Sequence, residues 1–289
     1  MPPAQLTFLT TITMLAFAGN SLLCRLALSG GSIDAASFTS IRIAAGATAL
    51  WALDFLRRGS GGPAGNWLSS AALLGYAAGF SFAYVTLPTA TGALLLFGAV
   101  QATMIGYGLF AGERPNVQQV TGMVLASVGL VVLFLPGLQA PPIGGALLMI
   151  GAGISWGVYS LRGRGRGDAR RESAGNFARA VPMAAAISVM MVRSAHVEAR
   201  GLTLAVVSGA ITSGLGYAIW YTVLPSLRAT SAATVQLSVP AIAAIGAVLL
   251  LGEPITLRLA LSASAVLGGV AWYILAKGAA VAPRRGVRA

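Results

Sequence analysis

Ten stretches of mostly apolar residues follow one another along this chain, and no other feature constrains its fold so strongly. They run over 6–28, 35–56, 67–87, 89–110, 117–136, 143–161, 173–192, 201–223, 229–251 and 257–277. A helix needs about 20 such residues to cross the hydrocarbon core of a bilayer. The breaks between them carry turn chemistry, as in Ser29-Gly30-Gly31-Ser32, Leu87-Pro88 and Leu224-Pro225. Several breaks are very short, so neighbouring helices are predicted to pair antiparallel. Only 9% of the residues are charged, where a soluble domain carries about 25%. These observations predict an all-α membrane protein of ten transmembrane helices.

The ten segments fall into two fives. Ala111-Gly112-Glu113-Arg114-Pro115 and Leu251-Gly252-Glu253-Pro254 stand 140 residues apart, each before the last segment of a five. Phe17, Asn20, Ser21 and Arg25 match Trp156, Tyr159, Ser160 and Arg164 at a shift of 139. Tyr84 to Pro88 matches Tyr221 to Pro225 at 137, and Arg42 matches Arg179 at the same shift. The chain is therefore read as a duplication, with a first repeat over 1–138 and a second over 139–289. An odd number of crossings per copy turns the second copy upside down. Inverted repeats of this kind enclose a central cavity near mid-membrane where the halves meet, as in secondary transporters.

Lys and Arg set the sidedness. With the N-terminus inside, thirteen of the nineteen fall on the cytoplasmic side, among them Arg57, Arg58, Arg114, Arg162, Arg170 and Arg171. Four, Arg25, Arg193, Arg200 and Arg258, fall outside, and Arg42 and Arg179 lie within segments. Both termini are expected in the cytoplasm, with the chain in a bacterial-type inner membrane. The net charge of +12 marks this asymmetry and does not point to nucleic acid, because the basic residues sit in connections and at the C-terminus. The start Met1-Pro2-Pro3 has no basic leader region, so the first segment is expected to be retained. One cysteine, Cys24, and one histidine, His196, offer neither a disulfide nor a metal cluster. No cofactor is expected.

The aromatic-rich first helix of each half, the repeated Gly-Glu turn and the ten-segment length carry a family resemblance. The chain resembles the drug/metabolite transporter superfamily in its ten-helix, two-repeat EamA-type form, and within it the YddG-type aromatic amino acid exporters. The resemblance implies five plus five helices around a central cavity that opens alternately to each side. It implies export of a small-molecule substrate, an aromatic or large neutral amino acid. A proton-coupled drug or metabolite exporter is the alternative.

Candidate site residues are those polar or aromatic groups that lie deep in the segments. An intramembrane ionisable group is costly and suggests function. Arg42 and Arg179 each lie about two turns from a segment end. They are candidates for anchoring a substrate carboxylate, or else structural arginines that bind backbone carbonyls. Trp156 and Tyr159, the stripe Tyr76, Phe80 and Tyr84, and Tyr217 beside Trp220 and Tyr221 could stack on a flat substrate or simply pack the bundle. Asn20, Gln101 and Gln236 could bind its polar end or bridge helices. Pro182 and Pro240 interrupt segments seven and nine, as hinges or static kinks. Trp51, Trp67, Trp272 and Tyr273 read as an interfacial belt. The carboxylates and His196 all fall at segment ends or in connections, so obligatory proton coupling is not expected. Gly153-Ile-Ser155-Trp-Gly157 fits a hydrolase elbow pattern, but its base would have to be His196, far along the chain in an outer connection. A purely structural membrane protein is the remaining alternative.

Overall fold

The computed structural model describes residues 1–56, 64–135, 140–163, 168–227 and 229–281. Its helices are α1 (Pro3–Ser29), α2 (Ala35–Leu56), α3 (Trp67–Tyr84), α4 (Thr89–Phe110), α5 (Val117–Phe134), α6 (Ile143–Gly163), α7 (Ala169–Met190), α8 (Ala199–Ser226), α9 (Ala229–Gln236 and Ser238–Leu251) and α10 (Leu257–Val281). Residues 57–63 and 164–167, which hold Arg57, Arg58, Arg164 and Arg166, lie outside the described residues, as do Arg228 and the tail from 282.

Seven of the ten helices are long and apolar enough to cross a membrane by length and composition alone. The three that fall short are α2, α3 and α7. Each carries buried polar groups that lower its apolarity: Thr39 and Arg42 on α2, Ser69, Ser70 and Ser81 on α3, Ser173 and Asn176 on α7. Their polarity faces protein, so a hydropathy test undercounts them. The chain is an integral membrane protein.

Short polar caps start several helices, each satisfying backbone donors that the first turn leaves unpaired. Asp34 accepts from Ala36 and Ser37, Asn66 from Ser69, and Asn116 forms a reciprocal box with Gln119. The repeated Gly-Glu strings close α4 and α9. Gly112 and Gly252 both take left-handed backbone, with φ of 91° and 66°, which a side chain disfavours. That turn lets the next amide, of Glu113 or Glu253, bond back to Gly108 or Ala247.

Helix packing is ordered by pairs. α2 lies against α7, α5 against α10, and α4 against α9. α1 packs on α8 and α9, and α6 packs on α3 and α4. Small residues permit close approach, as bilayer packing requires. Gly122 of α5 and Gly269 of α10 sit each on the other's backbone. Tyr273 is buried in that seam, so it is not part of an exposed belt, whereas Trp51, Trp67 and Trp272 are exposed.

Two segment-level expectations change. Pro182 does not break α7, which runs unbroken past it with the ring on an exposed face. Pro240 does break its helix. It offers no N–H to the Gln236 carbonyl and its ring crowds it, and α9 is divided at Leu237. Segment eight is also irregular: Ser208–Leu215 of α8 is π-helical.

Candidate functional site

The middle of the bundle is an aromatic chamber. Trp156 of α6 is its hub, with ring centroids 4.8 Å from Tyr76 of α3 and 4.9 Å from Tyr217 of α8. Tyr76 continues to Phe80 at 5.4 Å, and Phe17 of α1 meets Tyr217 edge-on at 5.8 Å. Phe97 and Leu96 of α4 close the wall. These rings enclose a cavity of about 20 Å³ that also touches Asn20 and Thr212. Pockets for small organic molecules run to about 300–1,000 Å³. The chamber is therefore collapsed on itself, and a substrate requires the walls to part.

One polar network backs this chamber. The Tyr76 hydroxyl accepts from Arg42 Nη2 at 2.8 Å and from Asn20 Nδ2 at 3.1 Å. Arg42 Nε donates to Ser213 at 3.3 Å. Asn20 Oδ1 accepts from Ser208 at 2.7 Å and Thr212 at 3.3 Å. Arg42 is 1% exposed, and its guanidinium lies 5.1 and 5.0 Å from the ring centroids of Tyr76 and Phe80. Such cation–π contacts contribute roughly 0.5–2 kcal/mol each, a partial substitute for lost hydration. Gly209 lies directly on the Arg42 carbonyl, where a β-carbon would collide.

The π-helical stretch of α8 supplies every serine and threonine hydroxyl in that network. Bonds from i to i+5 give about 4.4 residues per turn, so positions four and five apart share a face. Ser208 with Thr212, and Ser208 with Ser213, are spaced that way. A regular helix would turn Ser213 about 140° away from Ser208.

The remaining candidates lie elsewhere. Tyr84 packs edge-on against Phe80 at 4.7 Å, but its hydroxyl donates to the Thr89 carbonyl and it does not line the cavity. Tyr159 stacks on Trp156 at 5.4 Å while its hydroxyl pairs with Ser173 at 3.2 Å. It borders a second, smaller cavity with Arg162, Asn176 and Tyr221. Gln101 is buried on α4 outside the chamber lining. Gln236 bonds back to the Ala232 carbonyl at the break of α9. Arg179 donates to the carbonyls of Ala64 at 2.6 Å and Gly175 at 3.0 Å, away from the chamber.

Contacts between connections sort by end. At the expected outer end, Arg25 Nε pairs with Glu253 at 3.1 Å and Arg25 Nη1 donates to the carbonyls of Tyr84 and Val85. The second Glu253 oxygen accepts from the Thr89 amide at 2.7 Å. Asp34 and His196 join the α1–α2 and α7–α8 connections there. A cavity of about 400 Å³ opens beside the Arg25–Glu253 pair. At the expected inner end, Arg162 donates to Ser69 and Asn66, Glu172 accepts from Gly65, and Asp54 pairs with Arg170 and Arg171. The chamber lies between these two closures.

This architecture has known counterparts. A solved crystal structure of a protein shares the fold, with a TM-score of 0.65 over 95% of this chain and 98% of its own, at 18% identity. The model of the EamA-like transporter family matches residues 143–275. An uncharacterized protein of Pseudomonas aeruginosa is 52% identical over 287 residues, which cover 99% of this chain and all of that protein. This chain belongs to the EamA-like transporter family. As an EamA-like protein it is a membrane transporter of small molecules, within the drug/metabolite transporter superfamily.

For an EamA-like transporter the hydrolase pattern has a plainer reading. Ser155 packs against Gly75 inside α6, whereas His196 is exposed in a connection beside Glu198. Sequence reasoning also left the hydroxyls of Ser208, Thr212 and Ser213 unassigned. Their signal is the run Ser208-Gly-Ala-Ile-Thr-Ser-Gly214, where small and hydroxylated residues crowd one segment.

Proposed function

We propose that this protein exports small, largely apolar metabolites, aromatic or large neutral amino acids among them, by alternating access through the central aromatic chamber. The chamber itself carries the reading. Flat rings from α1, α3, α4, α6 and α8 surround one polar corner, and ligand sites are built as mostly apolar walls with a few orienting polar groups. Tyr76, Phe80, Trp156, Tyr217 and Asn20 form the wall, with Arg42 behind it facing the substrate carboxylate. Tyr84, Tyr159, Gln101, Arg179 and Gln236 support the surrounding helices, and the α9 break at Pro240 is the hinge, a role Pro182 shares only weakly.

The same reading takes 1–138 and 139–289 as inverted five-helix repeats in the inner membrane, both termini cytoplasmic. The packing favours it. Exchanging α1 with α6, α3 with α8 and α4 with α9 maps the contacts of α1 with α8 and α9 onto those of α6 with α3 and α4. α2–α7, α4–α9 and α5–α10 are the self-paired contacts of such an exchange. Opening the Arg25–Glu253 closure admits solvent from outside, and opening the Arg162–Asn66 closure admits it from inside. The chamber lining carries no carboxylate or histidine among the described residues, which favours flux down the solute gradient without obligatory proton coupling.

Purified protein in liposomes tests this directly. Labelled phenylalanine, tryptophan, leucine, glutamate and lysine are offered with and without a pH gradient. Saturable flux of the first three, independent of the gradient and lowered by Trp156→Ala, is the expected result. Flux of only glutamate and lysine, or none without a pH gradient, overturns it. Cysteine labelling of the 163–171 linker from outside intact cells, on a Cys24-free background, would refute the orientation.

A further inference from the structure

Arg42 is a buried cation without a counter-anion. It forms no ion pair among the described residues, and its Nη1 has no hydrogen-bond partner. The ionisable side chains that face it are Tyr76, Tyr217 and Cys24, and none of them is a carboxylate. The nearest carboxylate along its own helix is Asp34, about 12 Å away along the axis, and that group is engaged with the α7–α8 connection. Removing a guanidinium from water is costly unless an anion or several acceptors replace the hydration. Here two aromatic faces, one serine and one phenol do so, and one nitrogen is left over.

The bonds in the network also have a direction. Asn20 Oδ1 already accepts from two hydroxyls. The Tyr76 oxygen accepts from both Arg42 and Asn20. A phenol oxygen that accepts two bonds keeps its own proton to give. The Tyr217 hydroxyl is its hydrogen-bonding neighbour, and two phenols bonded to each other still leave one proton to donate into the chamber. Tyr76 lines the cavity. The chamber therefore presents a positively polarised donor and no anionic acceptor. Two of the chamber's ring faces, those of Tyr76 and Phe80, already hold Arg42, and like charge disfavours a second cation beside it.

We infer that the chamber selects aromatic monocarboxylates that carry no ammonium group, in preference to the zwitterionic amino acids of the same shape. The carboxylate accepts from the Tyr76 hydroxyl and supplies the counter-charge that Arg42 lacks. Arg42 acts as a positioning and electrostatic residue through Tyr76. The inference rests on the chamber being the transport site, and it narrows the head group without altering the aromatic body.

Four ligands that share a phenyl body separate the two claims: 3-phenylpropionate, 3-phenylpropan-1-ol, phenylalanine and phenethylamine. Binding to the purified full chain is read by thermal shift and intrinsic tryptophan fluorescence, and movement by charge displacement in proteoliposomes. The acid is expected to bind at least tenfold tighter than phenylalanine or the alcohol, with phenethylamine weakest. It alone should carry net negative charge across. Tyr76→Phe keeps the ring and should bring the acid to within threefold of the alcohol. Arg42→Gln should do the same where it folds. If phenylalanine or phenethylamine binds as tightly as the acid, or if Tyr76→Phe leaves the acid's advantage intact, the head-group inference fails while the aromatic chamber stands. If none of the four binds or moves, the chamber reading falls and takes the inference with it.

Discussion

Arg42 and Arg179 occupy matching places in the two halves of the sequence, yet they sit in opposite surroundings. Arg42 is sealed in the centre among rings and hydroxyls, with one nitrogen unpartnered. Arg179 is half-buried near the expected inner end, where Nη1 spans two backbone carbonyls. The carbonyl of Ala64 belongs to the connection ahead of α3, so Arg179 ties that connection to α7. One arginine is held by side chains and the other by main-chain oxygens. Positions that match in sequence across the two halves can differ in what surrounds them.

The largest expected effect follows from that contrast. Losing one member of a buried charge network costs roughly 2–5 kcal/mol, so Arg42→Gln should lower transport kcat/KM by about 100-fold. Arg179→Gln exchanges two part-exposed guanidinium bonds, each worth about 1.5 kcal/mol at the low end for charged donors, for amide bonds that the shorter side chain keeps in part. It should lower Tm by about 3 °C with KM changed less than about twofold. Flux assays in liposomes beside thermal melts of the same variants measure both. Equal loss of kcat/KM in the two would erase the distinction.

The next contrast sets Tyr76 against Tyr159. Both are buried tyrosines near Trp156, but only Tyr76 accepts from a guanidinium. A hydrogen bond to a charged group is worth about 1.5–3 kcal/mol and a neutral one about half that. Tyr76→Phe should cost at least about tenfold in substrate affinity, and Tyr159→Phe less than about threefold. Ligand titration of each variant decides between them.

How much of this was legible in the sequence differs between fold and site. Segment length and apolarity gave all ten helices within a few residues, because a bilayer imposes one length on every crossing. The Gly-Glu repeats were legible because a left-handed helix end favours glycine in both halves. Tyr76, Trp156, Asn20 and Arg42 stood out as costly polar or bulky groups deep in a segment. Their partners did not. Ser208, Thr212 and Ser213 converge only because α8 is π-helical there, and the regular period used to read a segment points Ser213 elsewhere. For Arg179 the sequence left two roles open, a carboxylate anchor or a structural arginine on backbone carbonyls, because main-chain acceptors leave no mark in a sequence. Its bonds go to the carbonyls of Ala64 and Gly175.

The two closures give a contrast of moderate size. The outer one rests on the ion pair of Arg25 with Glu253, whose other oxygen holds the Thr89 amide at the start of α4. The inner one rests on bonds from Arg162 to the uncharged side chains of Asn66 and Ser69, beside the pairing of Asp54 with Arg170 and Arg171. Glu253→Gln should loosen the outer end selectively. A cysteine at Thr91, which borders the outer cavity, should then react about three- to tenfold faster with a membrane-impermeant thiol reagent on a Cys24-free background, consistent with a lost part-buried pair of about 1 kcal/mol. Arg162→Gln should leave that rate unchanged. An equal response to both would mean the ends open together.

The smallest effect belongs to the outer tether. Partial burial works to raise the Asp34 carboxyl pKa, but the amides of His196, Ser37 and Ala36 donate to it and hold it below the usual carboxylate range. A carboxyl whose pKa is lower folded than unfolded stabilises the fold above its unfolded value, near 3.9. That contribution is lost as pH falls through the lowered folded value. Acidification from about pH 5 downward should therefore detach the α1–α2 connection from the α7–α8 connection, and it should do so in the wild type more than in Asp34→Asn. Asparagine caps a helix about as well as aspartate, so at pH 7 the variant should melt within about 2 °C of wild type. The neighbouring His196–Glu198 pair at 3.2 Å is exposed on both sides and is the same in both proteins, so the difference between the two melting curves isolates Asp34. Parallel curves down to pH 3 would show that the connection is held by its backbone bonds, Asp34 N–H to the His196 carbonyl and Glu198 N–H to the Ser32 carbonyl, and not by the charge.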